Sequence, residues 1–362
     1  MTDAAEVVTS RLRGQAGYCD TSSPFYAVLL RRMADDVDAR GPTWDLLGGT
    51  ADDPVGFVPQ LRLLGGVHAL VLRGEAPELA ARYPSSGGDG DAAAAWPALH
   101  ALLADRRDDL VPWLARPPQT NEVGRAAALI VGLLTTTAAT QLPVRLLEIG
   151  ASAGLNLRLD RFWYEADGVG AGDPASPVRF VDCWEGGRPR LDAPLRVESR
   201  LGCDRRPIDP SSEDGRIALL AYTWPDMAER LALLRAALDV AAGVPAVVEQ
   251  ADFLAWLPAQ LSEPVPGCVT VVQHSIVLQY CDADTIAGLR DALHVAGARA
   301  TPDAPLAWLR LEPRSMATIE PELRLTTWPA GTERVLAHAP FHLGPVRLED
   351  PEARSAAPAA GG

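Results

Sequence analysis

The residues best suited to chemistry lie in and just after an apolar run at 144–149, V-R-L-L-E-I. Glu148 is the one acidic residue of this run, and Gly150 and Gly154 follow it in the stretch G-A-S-A-G. Small residues let a ligand approach the backbone, and the start of a helix offers unpaired N–H groups. A buried strand that leads through such a turn into a helix therefore predicts a site for a nucleotide or a cofactor.

Polar side chains end or follow three further apolar runs in the same half of the chain. They are Asp204, Asp252, Gln273 and His274. Because ligands bind beyond the carboxyl ends of the strands in an open parallel sheet, we expect these groups to lie near Glu148. Asp204 could accept hydrogen bonds from both hydroxyls of a ribose, and Asp252 could accept one from an exocyclic amine. His274 is the candidate general base, since imidazole titrates near neutral pH.

As a set, these stretches resemble the class I S-adenosylmethionine-dependent methyltransferases. The apolar run with its Glu and glycine loop is similar to their first motif, and G-C-D-R-R-P at 202–207 to the end of their second strand. A-D-F-L at 251–254 is similar to their third site. V-V-Q-H-S-I-V-L-Q-Y at 271–280 resembles their fourth strand and the polar loop after it. The resemblance covers about 144–345.

The methyltransferase resemblance implies S-adenosylmethionine as the cofactor. It implies that Glu148 contacts the methionine amino end, that Asp204 holds the ribose and that Asp252 meets the adenine amine. The cofactor-binding residues that it implies are Glu148, Gly150, Ala151, Ser152, Gly154, Asn156, Asp204, Asp252 and Gln273. His274 is then the candidate catalytic residue.

A second resemblance covers nearly the whole chain. The matching stretches are S-P-F-Y-A, T-N-E-V-G-R, E-I-G-A-S-A-G-L-N, G-C-D-R-R-P-I-D and Q-H-S-I-V-L-Q-Y. They are similar to a bacterial family of uncharacterised domains that is itself related to methyltransferases. Because that family has no settled reaction, this resemblance bears on the fold more than on the function.

The elements that must position these residues change in character near residue 142. Before it, apolar residues recur every three and four positions, and after it short apolar runs alternate with helical stretches. These patterns predict an α-helical N-terminal cap domain at 1–142 and an α/β domain at 143–348, with a Rossmann-like methyltransferase sheet that is doubly wound and mostly parallel. A lobe rich in Gly and Pro would be inserted at about 165–195, two late apolar runs would pair antiparallel at the sheet edge, and 349–362 would be a disordered tail.

Three polar residues precede or begin the apolar helix at about 126–140. They are Asn121, Glu122 and Arg125, and we predict that they bind the substrate. Arg125 could clamp a substrate carboxylate, although an Arg–Glu pair that ties the two domains together is an equal alternative. The helix itself is interrupted by threonines and too short to span a bilayer, so we expect it to be buried.

Composition excludes several classes of protein. All 33 basic residues are Arg, so a Lys Schiff base, a phosphate-loop Lys and a kinase-type Lys are impossible. A net charge of −14 argues against binding a nucleic-acid backbone. The five Cys are scattered, no His or Cys spacing is typical of a metal site, and the acidic N-terminus does not read as a signal peptide. We therefore expect a cytoplasmic protein with a small-molecule substrate, no metal, and no nucleic-acid or membrane partner.

Two other functions fit parts of the same sequence. G-A-S-A-G is also a G-x-S-x-G nucleophile elbow, with Ser152 as the nucleophile of a serine hydrolase. Its partners in the required chain order would be Asp252 or Asp284 and His338 or His342. However, the elbow follows the first evident strand, and no H-G-G-G segment precedes it. The second alternative is a regulatory protein that binds S-adenosylmethionine without turnover. The main interpretation is methyl transfer to a small molecule.

Overall fold

The computed structural model describes residues 3–315 and 320–355, and the chain forms two compact units. The first unit contains the residues up to Thr120 together with Ser212–Arg235. The second contains Asn121–Ser211 and the chain from Ala236 onward. The units therefore differ from the predicted domains: residues 121–142 lie with the sheet, and 212–235 lie with the N-terminal helices.

Helices and strands have the following bounds. The α-helices are α1 Ala4–Ser22, α2 Pro24–Asp38, α3 Pro42–Leu47, α4 Pro59–Leu72, α5 Pro77–Ala80, α6 Ala92–Asp105, α7 Arg107–Leu114, α8 Ala126–Thr140, α9 Glu213–Ala221, α10 Ala228–Gly243, α11 Phe253–Gln260 and α12 Ala283–Gly297. The strands are β1 Val144–Ile149, β2 Trp163–Ala166, β3 Val169–Gly172, β4 Arg179–Val181, β5 Trp184–Glu185, β6 Val197–Asp204, β7 Val247–Gln250, β8 Val269–Ser275, β9 Leu306–Pro313, β10 Pro321–Trp328, β11 Thr332–His338 and β12 Val346–Leu348. Short 3₁₀ helices at Val123–Arg125, Leu155–Arg161 and Leu278–Tyr280 belong to the second unit.

The N-terminus of α2 shows how a distant segment completes the first unit. Ser23 caps the helix, and its side-chain oxygen accepts a hydrogen bond from the Tyr26 N–H. Asp226 accepts hydrogen bonds from Ser23 Oγ at 2.5 Å and from the Phe25 N–H at 3.0 Å. A carboxylate there satisfies unpaired N–H groups and interacts favourably with the helix dipole. Residues about two hundred positions later therefore stabilise the start of α2.

A nine-stranded sheet forms the centre of the second unit, in the order β5-β12-β11-β10-β9-β8-β1-β6-β7. Strands β7, β6, β1, β8 and β9 pair in parallel. From β9 to β12 the pairings are antiparallel. The prediction of a mixed α/β fold with a mostly parallel sheet is confirmed. The predicted antiparallel pair is β10 and β11, although β12 and β5 lie outside it at the edge.

The apolar run at 144–149 is β1, and the three further runs marked by Asp204, by Asp252 and by Gln273 and His274 are β6, β7 and β8. Strand β8 is buried along its length up to Ser275, as expected for a central strand covered on both faces. Between β6 and β7 the chain forms two helices, α9 and α10, because it breaks at 222–227 around Pro225, which cannot continue a helix.

Helix α8 packs closely against the sheet. A Cβ atom at Gly132 would lie 2.1 Å from Leu309 Cδ1 of β9, so the absence of a side chain allows this approach. The segment Val123–Thr140 is long and apolar enough to cross a membrane by length and composition, but 78% of it is buried inside the protein. The prediction of a buried helix is confirmed.

The region predicted as an inserted lobe forms a small sheet in the order β3-β2-β4. Tyr164 stacks on Phe180 across it, with ring centroids 5.4 Å apart. In the predicted tail, Pro351–Ala353 forms a 3₁₀ helix, and residues 356–362 lie outside the described residues.

The contact between Gly132 and Leu309 generates a stability prediction. Gly132→Ala should destabilise the protein by about 1–3 kcal/mol, because the added methyl group overpacks the helix–sheet contact. Gly243→Ala is the control in the same unit, since a Cβ atom there meets nothing within 4 Å. Urea unfolding measures both variants, and equal midpoints would contradict the packing described here.

Candidate functional site

The candidate site lies at the carboxyl ends of the parallel strands. Strand β1 is the point where the strand order reverses, because β6 pairs with it on one side and β8 on the other. In open α/β sheets, ligands bind at such a reversal point. Glu148 of β1, Asp204 at the end of β6 and Gln273 near the end of β8 all lie at this edge.

The loop after β1 is held by the end of β6. Residues Gly150, Ser152 and Gly154 all have positive φ angles, which gives the loop its tight course. The Ser152 N–H donates to one Asp204 carboxylate oxygen at 2.9 Å, and the Arg206 N–H donates to the other at 2.8 Å. Asp204 thus fixes the loop and is itself fixed by two backbone donors.

Glu148 is buried, with 2% of its surface exposed, and pairs in register with Gln273. Burial raises the pKa of its carboxyl to about 8. A hydrogen bond from Gln273 and the charges of Arg158 and Arg125 oppose this rise in pKa, and Asp204 adds to it. The carboxyl oxygen Oε2 has no hydrogen-bond partner in the described chain. Burial of Glu148 therefore favours the protonated form of its carboxyl group.

Two further acceptor atoms are also buried and unpartnered within the described residues: Oε1 of Gln273, the register partner of Glu148, and Oδ1 of Asn156. The Gln273 amide donates to the Asn156 carbonyl at 3.3 Å, and the Asn156 amide donates to the Glu122 carbonyl at 3.3 Å. Backbone carbonyls only accept hydrogen bonds, so both side-chain amides are fixed with the NH₂ group toward the carbonyl. Three unpaired oxygens thus belong to one connected set of side chains.

Residues 121–125 tie this set to its surroundings. Asn121 Oδ1 accepts a hydrogen bond from the Leu155 N–H at 2.9 Å, so it does not cap its own helix. Glu122 accepts from the Gly124 N–H through one carboxylate oxygen and lies 3.1 Å from His342 Nδ1 through the other.

Arg125 joins two more loops to the same segment. Its guanidinium donates to the Ser275 carbonyl at 3.2 Å and to the Phe341 carbonyl at 3.1 Å. Asn121, Glu122 and Arg125 therefore position the loops after β1, β8 and β11. Their predicted role in binding a substrate stays a prediction.

His274 lies on the other face of the sheet from Glu148. Successive side chains of a strand alternate between faces, and Gln273 shares the face of Glu148. Trp308 donates its indole N–H to His274 Nε2 at 3.0 Å, so Nε2 carries no proton. The ring therefore donates from Nδ1 to Glu312 Oε1, at 2.7 Å. Both nitrogens of the predicted general base are engaged within the protein.

Asp252 has a structural role at the start of α11. One carboxylate oxygen caps α11 through the Leu254 N–H at 2.9 Å, and the other pairs with Arg205 at 2.8 Å. The hydrogen bond from Arg205, helped by the Leu254 N–H, lowers the pKa of the Asp252 carboxyl. Its predicted contact with an adenine amine stays a prediction.

Two buried charged residues, Arg158 and Glu312, hold the loops after β1 and β8 and were not predicted from the sequence. Arg158, 3% exposed, donates to the Gly154 carbonyl at 2.7 Å and the Val244 carbonyl at 2.7 Å, and burial lowers its pKa to about 10. Glu312 accepts from the Val277 N–H at 2.8 Å in addition to His274. For Glu312 a signal existed, since it lies near the end of an apolar run as Glu148 does.

A small cavity lies away from this site, at the opposite ends of β8 and β9. It has a volume of about 20 Å³, is lined by Thr270 and Leu306, and has room for little more than one water molecule. Within 3–315 and 320–355, no group of three His, Cys, Asp or Glu side chains could hold a metal ion.

A family model described as an uncharacterized protein conserved in bacteria, DUF2332, matches residues 9–347. The chain belongs to this family. The DUF2332 match includes every residue of the site described above. No curated protein matches the chain.

In this DUF2332 chain, four of the five stretches noted for their resemblance to a bacterial family meet at one edge of the sheet, and S-P-F-Y-A at 23–27 lies in the first unit. T-N-E-V-G-R contributes the ties at 121–125, and E-I-G-A-S-A-G-L-N contributes Glu148, the glycine loop and Asn156. G-C-D-R-R-P-I-D contributes Asp204, and Q-H-S-I-V-L-Q-Y contributes Gln273. Stretches far apart in sequence thus form one structural site in the second unit.

The hydrogen bond from Trp308 predicts the tautomer of His274. Long-range ¹H–¹⁵N spectra at pH 7 should show a protonated Nδ1 and an unprotonated Nε2, because the indole can only donate. His274→Asn identifies the signal by its loss. A protonated Nε2 at His274 would contradict the arrangement.

Burial of Glu148 predicts a pH-dependent stability. Its pKa is raised from 4.5 to about 8 in the folded protein, so its contribution is complete below pH 4.5 and lost as the pH rises through 8. Gln has the shape of the protonated acid and cannot ionise. Glu148→Gln should therefore be close to wild type in stability at pH 5 and more stable at pH 8, by on the order of 4 kcal/mol.

Urea unfolding at both pH values measures this difference. The control is Glu263→Gln, which changes an exposed carboxyl near the opposite ends of the strands and should shift neither value. A wild-type protein whose stability relative to Glu148→Gln is the same at pH 5 and pH 8 would rule out a buried protonated carboxyl.

Proposed function

We propose that the protein is an S-adenosylmethionine-dependent methyltransferase that acts on a small molecule. The observation that carries this proposal is the connected set of buried acceptors at the strand reversal: Glu148 Oε2, Gln273 Oε1 and Asn156 Oδ1, none of which has a partner in the described chain. A buried unpaired acceptor costs free energy, and a primary ammonium group supplies three N–H donors. The methionine end of the cofactor carries such a group.

The remaining cofactor residues fit this assignment. The backbone of Gly150, Ala151, Ser152 and Gly154 would line the cofactor. At Gly150 a Cβ atom would lie 2.6 Å from Val277 Cγ2, so Val277, in the loop after β8, packs directly against the glycine loop. Asp204, held by two backbone N–H groups, would hold the ribose hydroxyls, and Asp252 would meet the adenine amine.

The strand order gives further support. In chain order the parallel strands of the large sheet lie as third, second, first, fourth and fifth, and this is the order of doubly wound dinucleotide-binding sheets. We therefore propose a Rossmann-like, doubly wound methyltransferase domain. The sheet differs from the simplest doubly wound sheet, because β10, β11 and β12 each pair antiparallel with the strand before them in the sequence.

The cofactor would supply an electrophilic methyl group on its sulfonium. The protein's own contribution is to bind, orient and exclude water. Glu148, Gln273 and Asn156 would fix one end of the cofactor, and Asp204 would fix the nucleoside. Arg158 and Glu312 act as positioning residues, because they hold the loops after β1 and β8 through carbonyl and N–H groups. His274 would act through Glu312 rather than as a base.

We further propose a small-molecule acceptor and a cytoplasmic location, with no nucleic-acid or membrane partner. The net charge of −14 argues against a nucleic-acid partner, because the protein would repel a polyanion.

A second candidate is a binding protein that holds the same cofactor without turnover. The engagement of both His274 nitrogens favours it, since the one base proposed from the sequence has no nitrogen available for an acceptor. The serine-hydrolase alternative lacks comparable support. Ser152 Oγ has no hydrogen-bond partner in the described chain, so the base that would activate it is not in contact with it.

Calorimetric titration with S-adenosylhomocysteine at pH 8 tests the proposed cofactor. Wild type and Glu263→Gln should bind, whereas Glu148→Gln should bind about 10- to 100-fold more weakly because it loses a charge-assisted hydrogen bond. Asp204→Ala should also weaken binding. Wild-type protein that binds no adenosyl compound would overturn the proposal.

Turnover separates the enzyme from the binding protein. S-adenosylmethionine is incubated with the protein and a panel of small carboxylic acids, amines and phenols, and release of S-adenosylhomocysteine is measured. Release that depends on one acceptor class supports the methyltransferase. Tight binding without release across the panel favours the binding protein.

A further inference from the structure

The proton on Glu148 is the starting point of a further inference, which rests on the proposed cofactor. The carboxyl is 2% exposed, and its oxygen Oε2 has no partner in the described chain. Gln273, which pairs with Glu148 in register, and Asn156, whose carbonyl accepts a hydrogen bond from the Gln273 amide, also carry unpartnered buried oxygens. The surroundings therefore offer acceptors to a cation, and burial penalises the free carboxylate more than Gln273, Arg158 and Arg125 stabilise it.

The charged groups that face Glu148 come from three elements. Arg158 lies in the 3₁₀ helix after β1 and is committed to the carbonyls of Gly154 and Val244. Arg125 precedes α8 and donates to carbonyls of the loops after β8 and β11. Asp204 ends β6 and opposes ionisation of Glu148. Both guanidinium groups lower the pKa of Glu148, but not enough to ionise it at neutral pH.

We propose that the primary ammonium group of the ligand displaces the proton of Glu148, so that one proton is released to solvent for each molecule bound. The carboxylic acid loses its proton, the ammonium keeps all three of its own, and the two form an ion pair with the amide oxygens of Gln273 and Asn156. No redox partner or covalent step is involved. Binding of the amino-acid end of the ligand is thus linked to pH.

The direction of this linkage follows from the pKa of about 8. At pH 6 to 7 Glu148 is protonated, so affinity for an ammonium-bearing ligand should rise about tenfold per pH unit. Above pH 8 the carboxyl is already ionised and the dependence should level off. A ligand with the same nucleoside but no ammonium group should show no such rise.

Isothermal titration calorimetry tests the proposal on the full chain. S-adenosylhomocysteine is titrated at pH 6.5 and pH 8.5 in buffers of different ionisation enthalpy, which gives the number of protons released. We expect about one proton at pH 6.5 and clearly fewer at pH 8.5, because a carboxyl with a pKa of about 8 is largely ionised at the higher pH.

Two controls locate the proton. Titration with 5′-methylthioadenosine, which lacks the amino-acid group, should release none. Glu148→Gln should bind S-adenosylhomocysteine more weakly and release none, and its stability at pH 8 shows that it is folded. Glu263→Gln should behave as wild type.

Each outcome decides one of the two proposals. S-adenosylhomocysteine that binds at pH 6.5 without proton release overturns the exchange at Glu148 and leaves the cofactor assignment standing. Equal proton release with 5′-methylthioadenosine, or undiminished release by Glu148→Gln, also overturns the exchange, because another group would be the source. If no adenosyl compound binds at any pH, both proposals fail.

Discussion

A carboxyl group buried in the central strand of a parallel sheet constrains everything around it. Glu148 is almost completely buried, and the amides of Gln273 and Asn156 are both held with their NH₂ groups on backbone carbonyls. One oxygen of each of these three side chains has no hydrogen-bond partner in the described chain, and a buried polar atom without a partner costs free energy. In the proposed complex, the ammonium group of the cofactor would supply the missing donor at this strand reversal.

The segment 121–125 holds the loops around these buried side chains. It connects the loops after β1, β8 and β11 through side chains of three residues, Asn121, Glu122 and Arg125. Arg158 and Glu312 add buried bonds to the first two of these loops. Because these ties are made by charged or amide groups with little exposure to water, the loops are held in one geometry rather than in several.

Sequence reasoning succeeded where the pattern is local and stopped where contacts are distant. The strands around Glu148 and Asp204 follow from short apolar runs, and the edge they share follows from the behaviour of parallel sheets. Arg158 was missed because an Arg in a helical stretch is ordinarily a surface residue. The bond from Asn121 to Leu155, like that from Asp226 to Ser23, links positions with no shared periodicity, so no local pattern marks it.

The chain between β6 and β7 contributes Ser212–Arg235 to the first unit, so this unit is completed late in synthesis. The helices of the first unit leave the ribosome early, but the carboxylate that caps α2 belongs to Asp226 and emerges only after β1 and β6. During synthesis, α2 is therefore made before the Asp226 carboxylate that completes its cap. A fragment that stops at residue 120 would therefore lack the part of the first unit that Ser212–Arg235 supplies.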